Sequence, residues 1–242
     1  RSAGETFGNA YKASLARYGI TLELLPTAGS AENLARLADP VASVDFGFVQ
    51  GTDAAVNSVY SRFKARVPSM AVQSVSVSGA EMVGGSNNAA AQAARICQQA
   101  QKPNRVVLEL GGNDVCNRAR SSGADPTTNM YSATTYRNAL KAAIDTLAGC
   151  LPQGAVVQVM SMPRVDYLYE AGIQRRGLYC QGVWSLAGIC RIVTGETNAA
   201  RRASVGARIN EYNEALGAEV SAAQARHAAK LRILTDWQGG AA

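Results

Sequence analysis

The chain holds 242 residues, 47% hydrophobic and 17% charged, with 23 glycines and 6% aromatics. That is long enough to bury a substantial core and too apolar for a disordered chain, and no collagen-like or low-complexity pattern appears. The formal charge of +6 is spread thinly, its densest points being the pairs Arg175-Arg176 and Arg201-Arg202 without interleaved aromatics, so nucleic acid is not an expected partner.

In chain order, Ala-rich helical stretches alternate with short β-branched runs. A helix over about 5–18 precedes a strand ITLELLP (20–26). A helix over 30–38, N-capped by Ser30, precedes VDFGFVQ (44–50), and one over 53–66 precedes MAVQSVSVS (70–78). The segment Ser86-Asn87-Asn88 supplies the N-cap for a helix over 86–101, followed by the strand RVVLELGG (105–112). A helix over 132–149 leads to AVVQVMSMP (155–163), and a long helix over 199–228 leads to KLRILTDW (230–237). Between the last two units, 163–198 reads as the longest irregular stretch, either an exposed connection or a lid or binding loop whose Tyr167, Tyr169, Tyr179 and Trp184 are candidates for an acyl-binding wall. Such alternation predicts a parallel sheet covered on both faces, with ligands bound at the carboxyl ends of the strands. No Pro- or Ser-rich linker divides the chain, so a single α/β domain over 1–242 is expected.

No apolar run approaches the ~18 residues needed to span a bilayer, and the first residues lack the apolar core of a signal peptide. The cysteines Cys97, Cys116, Cys150, Cys180 and Cys190 include no C-x-x-C, and there is one histidine, so no metal site is expected. Disulfides in a secreted or periplasmic protein fit better. Five is odd, so at least one thiol is free or has lost its partner, and a local Cys180–Cys190 bridge would tie the 163–198 segment. No cofactor is expected, and oligomeric state is not legible.

Two strand ends carry glycine-marked turns: Ser78-Gly79-Ala80, and Gly111-Gly112-Asn113-Asp114. Backbone N–H groups exposed there, together with the Asn113 amide, would make donors for the oxyanion of acyl transfer. Asn and Asp also favour tight turns on their own account.

These features resemble the SGNH (GDSL-type) hydrolases, through TDAAVNSVYSRFKARVP, SVSVSGAEM, VVLELGGNDVCN, VVQVMSMPRVDYLY and INEYNEALGAEV, from about Thr52 onward. The resemblance implies a three-layer, flavodoxin-like parallel sheet with helices on both faces, and hydrolysis of small-molecule acyl or carbohydrate esters. It also implies Gly79 and Asn113 as oxyanion donors and Asp114 as the turn residue that orients the asparagine. The family's nucleophilic serine in a G-D-S-L-like turn and its late D-x-x-H are not found, so turnover is expected to be weak or absent. Where the serine would stand the chain reads FVQGTDAAV, and Thr52 offers a hydroxyl without an identified base. The lone His227, inside a helical pattern, reads as a surface residue rather than the base. KLRILTDWQGGAA stops about where the family would continue, and a sixth cysteine in such a continuation would account for the odd count.

Residues 4–51 are instead similar to the start of TAXI-type solute-binding proteins, on a strand ending P-T-A-G-S and a second ending F-V-Q-G. That likeness implies a small carboxylate bound by Thr27, Gly29, Ser30 and Asn33 at a helix N-terminus. The chain thus reads as a chimera with a seam near 51–52. A small-carboxylate binding protein and an inactive engineered fusion stand as alternatives to the ester hydrolase.

Overall fold

The computed structural model describes residues 65–237. The chain divides into two units, Arg1–Ser74 and Val75–Ala242. Of the first, the described part is a short turn in which Met70 N–H donates to Val67 O at 2.9 Å. The elements expected before residue 65, the seam near 51–52, Thr52, and the carboxylate-site residues Thr27, Gly29, Ser30 and Asn33 lie outside the described residues.

The second unit is an α/β arrangement around a parallel sheet of three strands, β1 (Arg105–Leu108), β2 (Ala155–Val159) and β3 (Leu231–Thr235), in the order β1-β2-β3. Val106 stands beside Val157, and Val157 beside Ile233, so one row of branched side chains runs across all three strands. Each run is short and β-branched, which suits a pleated surface buried on at least one side. Parallel strands need long crossovers, and helices supply them here.

Six α-helices are delimited among the described residues: α1 (Ala89–Gln98), α2 (Gly112–Cys116), α3 (Ala133–Cys150), α4 (Leu168–Ala187), α5 (Arg191–Thr194) and α6 (Ala199–His227), the longest. α1, α3 and α6 begin at side-chain caps. Asn88 accepts from Ala91 N–H, Ser132 from Thr135 N–H, and Asn198 from Ala200 and Arg201 N–H. Each cap satisfies amides that the first helical turn leaves unpaired, an effect of about 1 kcal/mol apiece.

Tyr136, Leu140, Ile144 and Leu147 of α3 and Ile209, Tyr212 and Leu216 of α6 are fully buried with Val157 and Val159 of the sheet. At about 1.5–3 kcal/mol per buried large side chain, this row supplies the main drive to fold. Tyr136 and Tyr212 stack at 4.7 Å between centroids, joining the first turn of α3 to the middle of α6.

Two expectations fail. Residues 70–78 form no strand, and Val72 and Val77 are exposed. Apolar alternation with serine between is necessary for a half-buried strand but does not provide a neighbour to pair with. The stretch 163–198 is not an irregular lid but helical: a 3₁₀ turn at Val165–Tyr167, then α4 and α5. Three glycines inside α4 hide it from propensity, and packing restores it. Trp184 lies against Gly172 and within 6.2 Å of the Tyr169 ring, although twelve residues of straight helix would separate them by about 18 Å. α4 therefore bends sharply back on itself.

The disulfides differ from the expected local loop. Cys97 pairs with Cys150, clamping α1 to the end of α3, and Cys116 pairs with Cys190, so that Cys180 is the free thiol. Cys190 is buried at the start of α5 and faces α2 instead of its neighbour in sequence.

Thiol titration of the denatured, unreduced chain is expected to count one thiol, and peptide mapping to recover Cys97–Cys150 and Cys116–Cys190; a Cys180–Cys190 peptide would contradict this pairing. Replacing Cys97 and Cys150 together by serine, which opens a loop of 53 residues, should lower the unfolding free energy in urea by about 2–4 kcal/mol.

Candidate active site

The site forms where β1 ends. The chain leaves Leu108, passes Leu110, whose carbonyl accepts from buried Tyr136 Oη at 3.1 Å, and turns at Gly111. Gly111 has φ +128°, and a Cβ there would stand 2.6 Å from Met162 Cε and 2.7 Å from Tyr136 Oη. Only glycine satisfies both the backbone angle and the space.

From that turn the short helix α2 aims its side chains at residues 79–83. Asn113 Nδ2 donates to Ala80 O at 2.9 Å, and Asn117 Nδ2 donates to Gly79 O at 3.1 Å and to Glu81 Oε1 at 2.9 Å. Between them Asp114, fully buried, accepts Met82 N–H at 2.5 Å on Oδ2 and Val83 N–H at 3.0 Å on Oδ1. Asp114 was expected to orient Asn113; its carboxylate instead holds the facing loop. The Cys116–Cys190 disulfide pins the far end of α2.

The facing turn runs Val77 to Ala80, with Ala80 N–H donating to Val77 O at 3.1 Å and Gly79 at φ +79°. A positive φ at the third residue is the signature of a type II turn. Gly79 N–H has no protein acceptor among the described residues, and the Asn113 amide keeps a second hydrogen. The structure thus brings together the two glycine-marked turns that the sequence singles out.

Glu81, also buried, forms an ion pair with Arg118 and accepts Tyr131 Oη at 3.2 Å, while Arg118 lies over the Tyr131 ring at 4.7 Å. Burial pushes Asp114 up from 3.8 to about 6, against the two backbone N–H bonds that favour its charged form.

Side chains beyond the sequence reading complete the edge. Asn213 clamps the chain after β2, accepting Met162 N–H at 2.7 Å and donating to Met162 O at 3.0 Å. Asp236, directly after β3, accepts Ser161 N–H at 2.7 Å and Ser161 Oγ at 3.0 Å. The visible signal for Asp236 was its place just past a strand, as for Asp114; Asn117 and Glu81 carried none, since a lone amide or carboxylate in a loop is ordinary.

His227 lies elsewhere. It is the last residue of α6, four positions before β3 begins, and so stands at the amino-terminal edge of the sheet. Its Nε2 meets Asp145 Oδ1 at 2.7 Å. Burial raises Asp145, but bonds from Lys141, His227 and Arg226 outweigh it and hold that carboxyl well below its usual range. Of the aromatic residues of 163–198, Trp184 is buried beside Tyr169, Arg202 covers Tyr169 at 4.1 Å, and Arg164 lies at 4.5 Å over the ring of the otherwise exposed Tyr167. Tyr179 is exposed.

A family model for GDSL-like lipase/acylhydrolase matches residues 7–235, which takes in the N-terminal stretch similar to TAXI-type proteins as well as the site. No curated protein matches the chain.

Because Asp114 has a raised folded-state pKa, its contribution to stability is fully present below about pH 4 and is lost as pH rises through 6. The unfolding free energy of the wild type minus that of Asp114→Asn should therefore fall by on the order of 3 kcal/mol between pH 4 and pH 7, measured in urea; a difference that grows with pH would contradict it. Gly111→Ala should cost at least about 2 kcal/mol by the same assay, from backbone strain and the two close approaches.

Proposed function

The chain belongs to the GDSL-like lipase/acylhydrolase family, and we propose that it is an SGNH-type ester-hydrolase scaffold whose Gly79 N–H and Asn113 amide receive the carbonyl oxygen of a small-molecule ester. The supporting observation is the 2.9 Å bond from Asn113 Nδ2 to Ala80 O, which seats the amide against the turn bearing the Gly79 N–H. Donors fixed before reaction lose no reorganisation energy as negative charge develops on the oxygen, and one such donor is worth about 10²–10³ in rate. Asp114 is the positioning residue: by holding Met82 and Val83 it sets where the Gly79 turn stands.

The other half of acyl transfer is a nucleophile with a base to take its proton. In the sequence Thr52, next to Gly51, offers a hydroxyl, and the chain's one histidine is held by Asp145 at the opposite edge of the sheet. Without an imidazole at the site, turnover by this 242-residue chain is weak. Two disulfides fit an exported, secreted or periplasmic setting.

Hydrolysis of p-nitrophenyl acetate should run at least about 10⁴-fold below the kcat of an intact serine–histidine esterase, and Asn113→Ala should lower the remaining rate by about 10²-fold or more. A residual rate indifferent to Asn113→Ala would contradict the oxyanion site. Full turnover that Asn113→Ala abolishes would instead contradict the missing base.

A further inference from the structure

We infer that the outer edge of β3 is a strand-pairing surface for a second copy of this chain, and that the side-chain amide of Gln224 keeps it closed.

Among the described residues β3 stands last in the order β1-β2-β3, so one of its edges meets a neighbouring strand and the other does not. Lys230 O accepts Gly154 N–H at 2.8 Å, which turns the backbone groups of the even-numbered residues of β3 toward β2 and those of Leu231, Ile233 and Thr235 outward. Such a row of outward N–H and C=O groups is a template for another strand.

Gln224, in the last turn of α6, occupies the middle of that row. Its Oε1 accepts Ile233 N–H at 2.6 Å, and its Nε2 donates to Leu231 O at 3.3 Å. These are the two bonds that one residue of a parallel neighbour, standing opposite Arg232, would make. A side-chain amide offers the same donor and acceptor as a peptide group, so Gln224 takes the place of a fourth strand at this point. The helix lies close to the strand end because Gly217, about two turns earlier, leaves room for Trp237. A Cβ at Gly217 would stand 2.7 Å from Trp237 Cδ1.

The edge that Gln224 closes is complementary to itself. Two copies related by a two-fold axis present their β3 strands antiparallel and use the same residues on both sides. With Leu234 on the axis, Ile233 of each copy pairs with Thr235 of the other, and both carry outward backbone groups. On the face of the sheet away from buried Leu231 and Ile233, the same register sets Arg232 of each copy opposite Asp236 of the other, and both residues are exposed. Opposite charges directly across a ladder stabilise it, and here they do so at both ends, with the two Leu234 side chains between them. An unrelated extended peptide would gain the backbone bonds without the paired charges.

One substitution releases the edge. Gln224→Leu keeps a long side chain with good helix propensity and removes both bonds. In sedimentation equilibrium its mass should rise with concentration toward that of two chains, with self-association at least about tenfold tighter than in the wild type. By NMR the wild-type Ile233 amide should be protected from hydrogen exchange at every concentration. In dilute Gln224→Leu the same amide should exchange at least about tenfold faster, and Ile233 and Thr235 should become protected together as the protein is concentrated. Adding Arg232→Glu, which sets like charges opposite one another and alters an exposed residue, should return self-association to the wild-type level. Gln224→Asn keeps the amide but falls one methylene short of the strand, so it should behave as Gln224→Leu does and serves if the leucine variant does not fold. A wild-type Ile233 amide that exchanges like an unbonded one would overturn the closure by Gln224. A folded Gln224 variant no more associated than the wild type would overturn the pairing surface and leave Gln224 as a brace between α6 and β3. So would association that leaves Ile233 and Thr235 unprotected, or that is indifferent to Arg232→Glu.

Discussion

The site depends on one buried carboxylate. Asp114 comes off the end of β1, through the Gly111 turn, and takes the backbone N–H groups of Met82 and Val83. A carboxylate removed from water is costly unless it is hydrogen-bonded, and here the cost shows as a pKa pushed up to about 6. What the interaction secures is geometry: with residues 82 and 83 fixed, the carbonyls of Gly79 and Ala80 fall to Asn117 and Asn113. Two turns distant in sequence become one surface with donors facing outward.

The rest of the unit keeps that surface still. Tyr136 holds the Leu110 carbonyl, Asn213 holds both backbone groups of Met162, and Asp236 holds Ser161. The chain leaving β1 and β2 is thus held by side chains, with Asp236 tying the end of β3 to that of β2, and two of the clamps come from helices α3 and α6 that also build the core. The opposite edge is organised by charge, with Asp145 meeting Lys141, Arg226 and His227. The single imidazole is committed there to tying α6 to α3, which separates it from Gly79 and Asn113.

Much of this was legible in the sequence, for physical reasons. β1, β2 and β3 were visible because branched apolar residues fill short runs between Ala-rich helices, and the turns at Gly79 and, past β1, at Gly111 because glycine takes angles that other residues avoid. Residues 70–78 misled because an alternating pattern does not reveal whether a partner strand exists. α4 was hidden by its glycines, since Trp184 and Tyr169 stabilise it through contacts that propensity cannot register. Disulfide pairing was illegible for the same reason: Cys190 is near Cys180 in the chain but near Cys116 in space. Asp114 was legible as a turn residue beside Asn113, but its bonds from Met82 and Val83 depend on the fold that brings residues 31 and 32 positions away against it.

The most direct measurement is an NMR titration of the Met82 and Val83 backbone amides together with the Asn113 side-chain amide. If Asp114 organises the site, all three shift together with a common midpoint near pH 6, and the transition vanishes in Asp114→Asn. Midpoints near the ordinary carboxylate value of 3.8, or an Asn113 amide that does not follow the two backbone groups, would contradict the account.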